Sequence, residues 1–119
     1  MSRRLLVVDD HPVNRTLVTV LLRDSEWECE QASSGAEALE KLSAGHFECV
    51  LLDISMPGMS GEEVCKRIRE DEKLKILRVI AYTAHTMKEE QQTILTAGFD
   101  ALLIKPINRQ TLLDTLNLP

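Results

Sequence analysis

Short apolar runs that end on a polar residue recur along this chain, alternating with stretches in which apolar residues return every three or four positions. Leu5-Leu6-Val7-Val8 ends on Asp9-Asp10, and Cys49-Val50-Leu51-Leu52 ends on Asp53, with Pro57, Gly58 and Gly61 close behind. Such near-continuous runs, bounded by turn signals, are the pattern of strands buried on both faces of a parallel sheet. Trp27 to Ala32 alternates apolar with polar, as a strand near a sheet edge does. Ile76 to Tyr82 reads as a strand running out onto Thr83-Ala84, and Ala101 to Ile104 as a last strand closed by Lys105-Pro106.

The intervening stretches have helical period. From Val13 to Arg23, the residues Val13, Leu17, Val20 and Leu21 form a stripe expected to face the core, while Val18 and Leu22 fall beside it and either widen the buried face or form a docking surface. Ser34 or Gly35 is placed to cap a helix carrying Ala38, Leu39 and Leu42, stopped at Gly45. Ser60 is the expected N-cap of a helix from Gly61 to Glu70, with Glu62 and Glu63 at its positive end and Val64, Cys65 and Ile68 turned inward. Thr86 to Ala97 predicts a more polar helix ended by Gly98, and a last helix bears Leu112, Leu113 and Leu116. Strands alternating with helices imply a parallel sheet with right-handed crossovers and helices on both faces, a doubly wound α/β fold. No repeat or linker divides it, so residues 1–119 are expected to form one domain.

Composition narrows the function classes. A chain that is 44% hydrophobic and 28% charged is globular rather than disordered, and with 3% aromatic residues its core must be Leu, Val, Ile and Ala. A net charge of −5 without a basic stripe argues against nucleic-acid binding, which depends on Lys and Arg neutralising phosphates. Cys29, Cys49 and Cys65 lack the spacing of a disulfide framework or a zinc site and are expected to be buried, reduced thiols. No apolar run approaches the roughly 20 residues of a membrane span, and no signal-peptide core precedes the first strand. These features point to a cytoplasmic domain without membrane contact of its own.

The strand ends carry the candidate chemistry. In an open parallel sheet the carboxyl ends of the strands form the ligand crevice, and the predicted elements bring Asp9, Asp10, Asp53, Thr83 and Lys105 to that edge. A single acid after a strand is ordinarily a turn or cap residue, but converging carboxylates repel one another unless a cation or proton compensates. Hard oxygen donors suit Mg²⁺, which binds one or two carboxylates together with a phosphate. Lys105 supplies a cation and Thr83 a hydroxyl for phosphoryl oxygens, leaving Asp53 as a nucleophile able to form an aspartyl phosphate. His11, His46 and His85 are dispersed and expected not to ligate metal, although His85 falls near the site.

Asp9-Asp10, Asp53 followed by Met56-Pro57-Gly58-Met59-Ser60-Gly61, Thr83-Ala84 and Lys105-Pro106, in that order, resemble the receiver domains of two-component response regulators over essentially the whole chain. The resemblance implies a flavodoxin-like fold of five parallel strands in the order 2-1-3-4-5 with five helices. It implies Asp53 as phosphoacceptor, Thr83 as switch hydroxyl, Lys105 as phosphate-binding cation, and Asp9, Asp10, Asp53 and the Ser55 carbonyl as Mg²⁺ ligands. It further implies a signalling domain, not a conventional enzyme, that assists its own phosphorylation and dephosphorylation. The partner implied is a histidine kinase or histidine phosphotransfer domain docking at the first helix, with Asn14, Val18 and Leu22 as candidates. A homodimer through the fourth helix, fifth strand and fifth helix is a further implied contact. Asp9-Asp10-His11-Pro12-Val13-Asn14-Arg15 resembles receivers attached to hybrid sensor kinases, whose parent chain can be membrane-anchored. Leu102 departs from the pattern, which often has Tyr or Phe three residues before the Lys, so readout of phosphorylation rests on Thr83, on loop motion or on phosphotransfer itself. Three competitors share features. An FMN-binding flavodoxin lacks support because DDHPVN repels phosphate, an aspartyl phosphatase because its Asp spacing after the first strand is missing, and a degenerate receiver acting only as a protein-interaction module because all five polar residues are present.

Overall fold

The computed structural model describes residues 3–84 and 88–117, with 88–90 as backbone alone. Its elements run β1 (Arg3–Val8), α1 (Pro12–Leu21), β2 (Trp27–Ala32), α2 (Gly35–Ala44), β3 (Cys49–Asp53), α3 (Gly61–Glu70), β4 (Arg78–Thr83), α4 (Lys88–Thr96), β5 (Ala101–Ile104) and α5 (Arg109–Leu116). The strands form one parallel sheet, as the alternation of elements predicts, in the order β2-β1-β3-β4-β5 that the resemblance implies. The chain reverses direction across the sheet between β1 and β3, so the crevice beyond their carboxyl ends is the switch point at which such sheets bind ligands.

Alternation along the strands divides the core into two halves. Leu6, Val8, Val50, Leu52, Val79 and Ala81 point to the face covered by α2, α3 and α4. Leu5, Val7, Leu51, Ile80, Tyr82 and Leu103 point to the face covered by α1 and α5. Four consecutive residues of β1 and all of β3 are buried, which is why those strands read as unbroken apolar runs. Ser34 accepts a hydrogen bond from the Glu37 N–H and Ser60 one from the Glu63 N–H, so both helices start where their cap residues predicted.

Three expectations are corrected. On α1 and its C-cap the buried residues are Val18 (0% exposed) and Leu22 (2%), and Leu21 of the expected stripe is half-buried against the same core, whereas Val13 (79%), Leu17 and Val20 are exposed. The helix is therefore turned from the predicted phase, and Val18 and Leu22 are unavailable for docking. Arg15 explains the turn: it lies one helical turn before Val18 on the inner side, where its guanidinium donates to the Asp9 carbonyl at 2.7 Å and to Gln31 Oε1 at 3.1 Å. Strand β4 begins at Arg78 rather than Ile76. The Asp71 carboxylate accepts from the N–H groups of Lys73 and Leu74, and Arg69 donates to the carbonyls of Lys75 and Leu77, so this segment is held as a turn with Ile76 in solvent. Cys49 and Cys65 are buried free thiols, but Cys29, on the edge strand, is only half-buried. His85 and the start of the predicted helix at Thr86 lie outside the described residues.

Candidate functional site

Strand β1 delivers Asp9 and β3 ends on Asp53, and both carboxylates are almost wholly buried. Two glycines shape the loop that follows. Gly58 has φ +77, a conformation that a side chain disfavours. A Cβ on Gly61 would stand 2.3 Å from the Asp53 carbonyl oxygen, so only glycine lets the start of α3 close over the end of β3. The Gly61 N–H donates to the Ile54 carbonyl at 3.2 Å, fixing that approach.

The polar groups converge as their strand ends predicted. Lys105 Nζ lies 3.4 Å from Asp9 Oδ2 and 3.3 Å from Asp53 Oδ1. The Lys105 N–H donates to the Thr83 carbonyl at 2.8 Å, extending the β4–β5 ladder by one residue and aiming the lysine back across the crevice. Thr83 is the buried last residue of β4. The Ser55 N–H donates to Asp53 Oδ1 at 3.3 Å, and the His11 N–H to Asp9 Oδ1 at 2.9 Å. Burial and, next, the Asp9 carboxylate push the Asp53 carboxyl above its ordinary range, partly offset by Lys105 and the Ser55 N–H. The site is thus a crowded anionic crevice with a single lysine bridging two of its acids.

Asp10 stands at the mouth beside Asp9 and His11, whose ligand atoms lie within 4.8 Å of one another. Asp10 Oδ1 is buried and, although His11 Nδ1 is 3.2 Å away, accepts no hydrogen bond among the described residues. A buried carboxylate oxygen without a donor has lost its hydration uncompensated, and a hard divalent cation would supply what is missing. The oxygen-rich donor set fits Mg²⁺, for which imidazole is the poorer match.

Two residues near the reacting groups escaped the sequence reading. His11 is one of three histidines dispersed along the sequence, yet the turn after β1 brings it against both acids. Tyr82 stands out in the sequence only as the end of a strand. It is paired in register with Asp53 on one side and Leu103 on the other, and its ring lies under Lys105, with the ammonium 4.4 Å from the ring centroid. Burial, then Asp9 and Asp53, push its hydroxyl up to about 12. The available signal was parity: Lys105 is two residues beyond Leu103 and so shares its face with Tyr82. Leu102, on the opposite face, is half-buried against the α2–α4 side of the core.

A family model described as the response regulator receiver domain matches residues 5–117. The chain is 41% identical over 115 residues to the sensor histidine kinase RcsC of Escherichia coli, covering 96% of this chain and 12% of that protein. It spans about one eighth of the length of the RcsC relatives it matches. It is 34% identical to the polar-differentiation response regulator DivK of Brucella ovis, covering 98% of this chain and 94% of DivK. Among solved structures, the response regulator TrrA of Thermotoga maritima in complex with Mg²⁺ and BeF superposes with a TM-score of 0.84 at 34% identity, covering 96% of both chains.

Proposed function

The chain belongs to the response regulator receiver domain family, whose members accept phosphoryl groups in signalling, and on that premise we propose that Asp53 is the phosphoacceptor in a Mg²⁺-dependent transfer from a phosphohistidine. The observation that carries this reading is the bridging of two buried carboxylates, Asp9 and Asp53, by one ammonium at a sheet switch point. An Asp53 carboxylate oxygen forms the new bond to phosphorus while the bond from phosphorus to the donor's imidazole nitrogen breaks, its electron pair returning to that nitrogen. Lys105 turns from the Asp53 oxygen toward the arriving phosphoryl oxygens, where its charge is most needed. Thr83, at the neighbouring strand end, offers its hydroxyl to one of those oxygens. Asp9, Asp10, Asp53 and the Ser55 carbonyl are the residues that would hold Mg²⁺, which when bound neutralises charge on the transferring group. The domain in this reading assists its own phosphorylation and dephosphorylation.

The partner surface is on α1, but not at the residues first expected. Asn14, in the first turn of α1, is half-buried, while Val13, Leu17 and Val20 of the same helix supply an exposed apolar face. An apolar helix face adjoining an active site suits a helical histidine-bearing partner.

The test is acetyl phosphate with Mg²⁺, followed by intact-mass measurement. A single phosphoryl adduct should form and be absent in Asp53→Asn and in chelator. An adduct of equal yield in Asp53→Asn would remove Asp53 from the chemistry.

A further inference from the structure

Lys105 has a flexible four-carbon stem, and the two carboxylate oxygens it reaches stand at 3.3 and 3.4 Å. Charge-assisted hydrogen bonds are about 2.7–2.9 Å when well made. The acids attract the ammonium without fixing its direction. The third wall of its surroundings is the face of Tyr82, 4.4 Å from centroid to Nζ, well inside the roughly 6 Å over which a ring quadrupole attracts a cation. Tyr82 is 1% exposed and packed in the cluster that includes Leu51, Ile80, Leu103 and Ile107, so its ring is held by the core. Of the two partners, the ring is fixed and the lysine is the one that must be placed.

We propose that Tyr82 is a positioning residue for phosphoryl acceptance, its ring face holding the Lys105 ammonium over the gap between Asp9 and Asp53. This rests on the reading of Asp53 as acceptor. Tyr82 touches none of the reacting atoms and acts through Lys105. A ring face is a broad acceptor with no preferred direction in its plane, so the ammonium can turn from the Asp53 oxygen to a phosphoryl oxygen without leaving it. The same contact suits a crevice whose three acids would otherwise draw the lysine in three directions. An aliphatic side chain of similar size fills the space but lacks the quadrupole.

The experiment measures the initial rate of Asp53 labelling by acetyl phosphate with Mg²⁺ in the unaltered chain, Tyr82→Leu, Tyr82→Phe, Lys105→Ala and the Tyr82→Leu/Lys105→Ala pair. Tyr82→Leu should slow labelling roughly five- to tenfold, and Tyr82→Phe should stay within about twofold because it keeps the ring face. In the Lys105→Ala background, Tyr82→Leu should cause no further loss, since the group it positions is gone. Equal losses in both backgrounds, or Phe as slow as Leu, would overturn the proposal. Far-UV circular dichroism establishes that each variant is folded, and Tyr82→Met replaces Tyr82→Leu if the latter is not. Failure of the unaltered chain to label at Asp53 strikes the acceptor reading instead, so the two failures are separable.

Discussion

Burial and the Asp9 carboxylate raise the Asp53 carboxyl above its ordinary value, and Lys105 with the Ser55 N–H reverses this only in part. Between the unfolded and the raised folded value, the folded chain therefore binds more protons than the unfolded one, and stability falls as pH rises through that window. Above the raised value the penalty is fully present. Asp53→Asn, which keeps the shape and discards the charge, should therefore stabilise the metal-free protein and raise its Tm. The gain should shrink as pH falls through the raised Asp53 value, because a protonated carboxyl and an amide are then alike in charge. Thermal melts in chelator at several pH values check this, and a gain independent of pH would refute the cause given. Asp53 was legible in the sequence because an apolar run ending on acid is a pattern in one stretch of chain. The contribution of Tyr82 was not, because its meaning lies in a lysine 23 residues away that only strand pairing brings over its ring.

Capped helices and central strands were legible for a related reason: their determinants are local. Ser34 and Ser60 cap within three residues, and β1 and β3 are buried on both faces, so no choice of phase arises. The phase of helix α1 is ambiguous in sequence because apolar residues occupy positions 13, 17, 18, 20, 21 and 22, which supports two stripes of helical period. The choice between them is made by Arg15, a polar residue on the inner side whose partners are the Asp9 carbonyl and Gln31. Hydrophobic periodicity cannot register an inward arginine. The two phases make opposite predictions about stability. Leu22→Ala should cost about 3 kcal/mol, as expected for a fully buried leucine, while Leu17→Ala on the exposed stripe should change stability by less than about 0.5 kcal/mol. Urea denaturation of the two variants decides it, and a larger cost at Leu17 would restore the phase read from the sequence.

At the scale of the molecule, the chemistry and the most informative optical probe sit at opposite ends of one sheet. Asp9 and Asp53 lie at the carboxyl edge, whereas Trp27 opens β2 at the amino edge, where Arg3 stacks on its ring at 4.2 Å and its indole N–H donates to Asn117. Between them run the buried strands that serve both halves of the core. If residues 3–117 are a single cooperative unit, an event confined to the acidic edge must move the transition seen at the other. On the proposed function Mg²⁺ would provide that event, because a ligand of the folded state stabilises it by mass action wherever it binds. Millimolar Mg²⁺ should raise the midpoint reported by Trp27 fluorescence by the same amount as that reported by far-UV circular dichroism, and Asp10→Ala should abolish both shifts together. A Trp27 transition that ignores the metal while the circular dichroism moves would mean that the edge bearing β2 unfolds on its own. A shift that survives in Asp10→Ala would mean that the cation binds elsewhere than among the acids at the sheet's carboxyl edge.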